Sequence, residues 1–105
     1  MRLGGDGKTT TLRGEVIVPP ALYLPLVPDP DGGGQLVVVQ PLADGRRGLL
    51  AYTALDRLAD ACGHSQPWML VMTSELDRVR QAQPFDVVAF DISVPAQHRR
   101  EGRLA

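Results

Sequence analysis

The residues most able to do chemistry begin near the N-terminus. Gly4-Gly5-Asp6-Gly7-Lys8-Thr9 ends in Gly-Lys-Thr, the triplet that closes a phosphate-binding loop. The loop needs a glycine five residues before Gly7, where Arg2 stands, and a preceding strand to hold its amides at a helix start. Neither is present, so the segment reads as an arm. Cys62 and His64 sit two apart, but Cys62 falls on an apolar helical stripe, where cysteine behaves as a small hydrophobe rather than a nucleophile. With only the distant His98 to join them, they do not make up a zinc ligand set.

Carboxylates offer no more. Asp29 and Asp31 begin like a calcium loop but lack its remaining ligands and its bidentate glutamate, and so read as a turn. Asp56 and Asp60 share the helical face opposite the apolar stripe, a solvated position unsuited to acid-base work. Trp68 follows Pro67 at the start of the central strand and reads as a core or rim anchor, not a platform for stacked bases. Arg99, Arg100 and Arg103 read as solvated charge. The reading is therefore non-enzymatic, with no catalytic residue, no metal site and no cofactor.

The elements that position these residues follow from pattern. Residues 1–14 are polar and glycine-rich, a flexible arm. Val16-Ile17-Val18 and Leu22-Tyr23-Leu24 are short extended pieces that Pro19, Pro20 and Pro25 confine to sheet edges or irregular strands. Pro28 to Gly34 is a loop. Leu36-Val37-Val38-Val39 and Gly48 to Tyr52 flank Asp44-Gly45, the signature of an antiparallel hairpin, because glycine accepts the positive φ of the turn.

A strand, threonine, helix unit then occurs twice, at Leu49 to Leu58 and at Met69 to Val79. Thr53 with Asp56, and Ser74 with Asp77, are spaced to cap the two helices. The first helix carries Leu55, Leu58, Ala59 and Cys62 as its core stripe and stops at Gly63. The second, with Leu76, Val79 and Ala82 and an end at Pro84, is the more solvated. Asp86 to Val94 forms the last strand, with Val88, Phe90, Ile92 and Val94 on its core face.

The predicted fold is α+β: a mixed sheet in which an N-terminal antiparallel hairpin leads into β-α-β-α-β, with helical crossovers between parallel strands and both helices on one side. Residues 15–95 form a single domain, and 96–105 a polar tail that frays. If a ligand site exists, it lies at the C-terminal ends of the parallel strands, near Tyr52, Thr53, Thr73 and Ser93, where helix starts favour anions.

Composition bounds the partners. The 105 residues allow one core, and eleven basic against twelve acidic residues give a net charge of −1, with no field to hold nucleic acid or an anionic membrane. Apolar runs such as Trp68 to Met72 are far shorter than the roughly 20 residues that span a bilayer. The N-terminus lacks the apolar segment of a secretory signal, and the single cysteine excludes an internal disulfide, so a cytoplasmic location is expected. The expected partner is a protein, or a second copy in a homodimer, met at a proline-bearing sheet edge or on the exposed second helix.

Val37-Val38-Val39-Gln40-Pro41-Leu42, Gly48 to Leu58, Pro67-Trp68-Met69-Leu70-Val71 and Phe85 to Asp91 together resemble the SseB N-terminal-domain-like family, and within it small stand-alone actinobacterial members. The likeness covers residues 21–95. It implies an α+β domain engaged in secretion-related or regulatory protein contacts, with no catalytic residues to carry over. The chain departs from the family by stopping soon after Pro95 without a second domain, and so is not expected to serve secretion.

Overall fold

A computed structural model describes residues 19–94, 99–100 and 102–104. The arm 1–14 with its Gly-Lys-Thr, the extended piece Val16 to Val18, and His98 lie outside them. The elements run β1 (Ala21–Pro28), β2 (Gln35–Val37), β3 (Val39–Pro41), β4 (Arg47–Ala51), α1 (Leu55–Cys62), β5 (Trp68–Met72), a 3-10 turn (Thr73–Glu75) into α2 (Leu76–Ala82), β6 (Val87–Phe90), and the short pair β7 (Arg99–Arg100) and β8 (Arg103–Leu104). The fold is α+β with two helices, as the sequence pattern predicts; the strand expected over Gln35 to Gln40 is split into β2 and β3, and β7 and β8 are additional. Among the described residues no helix is long and apolar enough to cross a membrane.

Two sheets share a join. One has the order β2-β1-β5, all antiparallel; the other has β3-β4-β6, in which β3 is antiparallel and β6 parallel to β4. Tyr23 of β1 and Tyr52 after β4 exchange both backbone hydrogen bonds at 2.9 Å, which links the sheets. The Asp44-Gly45 turn joins β3 to β4, with Gly45 at φ 88°.

The strand pairing differs from the expected run of neighbouring parallel strands. β5 pairs with β1, not with β4, so β1 is central and β5 is an edge. β1 tolerates Pro25 in this central place because of where the missing amide would point. The amides of Tyr23 and Asp29 face the β2 side of β1, bonding Tyr52 and Gly34, and alternation puts Pro25 on that side too. The carbonyl of Val38, at the break between β2 and β3, turns instead to the amide of Leu50 at 2.9 Å. Pro25 therefore faces a gap in the ladder, where its lost donor costs nothing.

The same pairing places the helices on opposite faces rather than on one side. β4 to β5 travels one way across the sheet and β5 to β6 travels back, and two crossovers of one hand in opposite directions put their helices on opposite faces. One core holds Leu22, Leu24, Leu49, Ala51, Val71 and Phe85, with Leu76 and Val79 of α2 packed on it. The other holds Leu50, Tyr52, Leu58, Ala61, Cys62, Val94 and Leu104. The alternation along β4 (Leu49 and Ala51 one way, Leu50 and Tyr52 the other) feeds both cores.

Both predicted caps fail in the same manner. Ala54, not Thr53, is the N-cap of α1, with no side-chain hydrogen bond, and Ser74 is absorbed into the 3-10 turn. The α1 stripe is displaced toward its C-terminus: Leu58, Ala61 and Cys62 are buried, whereas Leu55 is 39% exposed. The last strand stops at Phe90, because Asp91 adopts φ 54°. That turn reverses the alternation, sending Ile92 and Val94 to the second core while Val88 and Phe90 serve the first.

Residues 99–100 and 102–104 do not form the fraying tail expected there. β7 and β8 pair, Leu104 is buried, and Ser65 N donates to Gly102 O at 2.7 Å. Gly63 makes this approach feasible: a Cβ there would lie 2.1 Å from the carbonyl carbon of Gly102, and its φ of 121° suits glycine alone.

Candidate functional site

Of the four residues predicted at the strand ends, three gather around β4 and β6. Tyr52 is fully buried, and its hydroxyl donates to Ile92 O at 2.7 Å. Burial, with the adjoining Cys62 and Asp91 side chains adding to it, raises the phenol well above its ordinary pKa, so Tyr52 stays neutral. Thr53 donates from its amide to Asp91 Oδ1 at 2.9 Å and from its hydroxyl to Asp91 Oδ2 at 2.8 Å. Ser93 is exposed and lines a shallow open hollow of about 180 Å³ with Arg57, Asp60, Ala61 and Asp91. Thr73 stands apart at the end of β5, its amide bonded to Pro20 O and its hydroxyl to Pro19 O.

Asp91 was not among the predicted residues, yet it organises this end of the sheet. Its left-handed backbone turns the carboxylate back onto Thr53, and Arg57 Nη1 reaches Oδ2 at 3.3 Å. The place beside the α1 start that an external anion would seek is thus taken by the chain's own carboxylate. Among the described residues no three His, Cys, Asp or Glu side chains form a group able to hold a metal.

The other notable surface is β5. Trp68, Met69, Leu70 and Met72 are 42%, 40%, 53% and 45% exposed, and only Val71 of this strand is buried. Trp68 is held edge-on against Tyr23, with ring centroids 5.3 Å apart. Among the described residues the backbone of β5 is open on one side. Tyr23 spends both its backbone groups on Tyr52, so Leu70, directly opposite in register, receives neither. Thr73 and Pro67 bond β1 at Pro20 and Leu26, and alternation then assigns Met69 and Val71 to β1, and Trp68, Leu70 and Met72 to the free edge.

No proline blocks that edge. Pro67 directs its missing donor inward, toward Leu26 O, and there Gln66 Nε2 supplies the bond instead at 2.6 Å. Gln66 also accepts from Leu104 N at 2.6 Å, which ties the terminal hairpin to the start of β5.

The remaining edges differ. On β2 the outward groups of Val37 are closed by Gln83, whose Oε1 accepts from Val37 N and whose Nε2 donates to Val37 O, both at 2.9 Å. β6 is half-buried along its length. Natural sheets shield their edges with charge, proline or cover, and among the described residues β5 has none of these.

Neither surface the sequence favoured for docking has this character. The proline-bearing strand is central, and α2 presents Asp77, Arg78 and Arg80 outward, all exposed. No family model, no curated protein and no solved structure matches the chain.

Proposed function

We propose that this chain is a non-enzymatic protein-interaction module of the cytoplasm, related to SseB N-terminal domains, and that it docks its partner along the free edge of β5. The observation that carries the reading is the coincidence, on one strand, of outward backbone groups unpaired among the described residues with four exposed large apolar side chains. An extended segment added there gains main-chain hydrogen bonds from the edge and buries apolar area at roughly 25 cal/mol per Å². Trp68 is well suited as an anchor, since its contact with Tyr23 limits the rotamer freedom that binding would otherwise remove.

The alternative, a small-ligand or anion site at the strand ends, has less support. Tyr52 is sealed in the core and the Thr53 donors already serve Asp91. Nucleic acid ranks last: Arg46, Arg47 and Arg57 each face a carboxylate of the chain itself, at Asp44, Asp86 and Asp91.

A photoreactive residue placed at Leu70 tests the reading against one at Arg78 on α2. In the cell of origin the position-70 probe should join covalently to a discrete polypeptide, either another copy or a different chain, while the position-78 probe should not. A protein that crosslinks from 78 and never from 70 has its docking surface elsewhere.

A further inference from the structure

We propose that the strand docked on β5 is β5 of a second copy, antiparallel about a two-fold axis at Leu70, so that two sheets merge into one. The proposal rests on β5 being the docking edge and adds the identity of the partner. Its basis is that this edge is self-complementary.

The outward backbone groups belong to Trp68, Leu70 and Met72, an odd set centred on Leu70. A two-fold axis there opposes Leu70 to Leu70 and Trp68 to Met72 twice, each as a pair exchanging both hydrogen bonds. All three side chains lie on the α1 face, since Leu70 is directly opposite Tyr23, a residue packed in that core. They therefore meet their counterparts on one surface. Trp68 against Met72 brings a thioether to an indole edge, a favourable contact, and Leu70 against itself is apolar at the axis. Met69, exposed on the opposite face, meets Val71 of the other copy in this register, so that face is covered too.

Charge does not oppose it. From Gln66 to Ser74 the chain carries no charged residue, so two copies of this strand meet without like charges facing each other. The merged sheet would run β2-β1-β5-β5-β1-β2, with the β3-β4-β6 sheet of each copy joined to it through Tyr23 and Tyr52. Assembly on this edge thus closes at two copies, since the axis consumes the only edge used.

Light scattering across a dilution series should carry the apparent mass from 11.4 kDa toward twice that value as concentration rises. Leu70→Lys opposes two ammonium groups across the axis and should hold the protein at the monomer mass with an unchanged circular dichroism spectrum. A nitroxide on Leu70→Cys should show spin-spin broadening that disappears on mixing with excess unlabelled protein, while one on Glu75→Cys should show far less. A protein that stays monomeric at every concentration, or a dimer that survives Leu70→Lys without broadening at position 70, overturns the proposal. If such a monomer still crosslinks from position 70 to a different polypeptide, the docking edge stands and only the second copy is wrong. Loss of both removes the docking edge itself.

Discussion

Asp91 gives the account its sharpest energetic test. Its carboxylate takes two charge-assisted hydrogen bonds from Thr53, and its backbone sits at φ 54°. A hydrogen bond to a charged group contributes about 1.5–3 kcal/mol, but the two here share one partly solvated carboxylate, so their joint worth is about 2–3 kcal/mol. The Arg57 contact involves a side chain 62% exposed and adds at most ~1 kcal/mol. Alanine at Asp91 loses these bonds and meets the steric cost of a left-handed backbone, about 1–2 kcal/mol. Asp91→Ala should therefore cost about 3–6 kcal/mol, which at a urea slope of about 2 kcal/mol/M moves the unfolding midpoint by on the order of 2 M. Glycine accepts the backbone but not the bonds, so Asp91→Gly should lie below Asp91→Ala. Asp91→Asn keeps both an acceptor and tolerance of positive φ and should cost least, about 1 kcal/mol. Urea melts of the three variants give the order directly. An Asp91→Ala midpoint within error of the parent, or a glycine variant weaker than the alanine one, would show that the turn at Asp91 is not what joins the ends of β4 and β6.

Two further outcomes follow from other contacts. Gly63→Ala places a methyl 2.1 Å from the backbone of Gly102 at a φ of 121°, so the β7–β8 hairpin should undock, with a loss of at least about 1–3 kcal/mol and faster exchange of the Leu104 amide; unchanged protection of that amide would refute the docking. Tyr52 keeps its proton in the folded state, whereas the unfolded chain releases it near pH 10. Its folded pKa is the higher one, so its contribution is complete below about pH 10 and is lost as pH rises beyond that. In a Tyr23→Phe background the phenolate absorbance should appear only together with unfolding, and smooth titration with the fold intact would contradict the burial.

Local chemistry was legible in the sequence, and pairing was not. The Asp44-Gly45 turn and the helix stop at Gly63 depend on backbone angles that a few neighbouring residues decide, and both are found. The run Gly48 to Tyr52 is read as a strand, and β4 lies there. Which strands adjoin is a different matter, because Leu22-Tyr23-Leu24-Pro25 and Trp68 to Met72 are both apolar and local pattern does not rank them. Proline pointed to an edge for the first, but the cost of a lost donor depends on whether a partner carbonyl faces it, and Val38 turns away. The second, expected at the centre of the β-α-β-α-β run, is an edge with exposed side chains.

Thr53 shows the same limit at the strand ends. Its spacing suits a cap, but a carboxylate 38 residues away competes for the hydroxyl and wins. The signal that existed was Asp91 itself, the one charged residue closing an otherwise apolar strand. Gln66 and Gln83, which satisfy backbone groups in place of a strand, left no sequence signature, because a glutamine amide imitating a peptide is recognisable only once its partner is known.

Residue-resolved amide exchange over a dilution series tests the central claim, the open edge of β5, most directly. In the most dilute sample Met69 and Val71 should be protected while Trp68, Leu70 and Met72 exchange almost freely, and these three alone should slow as concentration rises. Equal protection of all five amides at every dilution would contradict it, since the edge would then already be closed within a single chain.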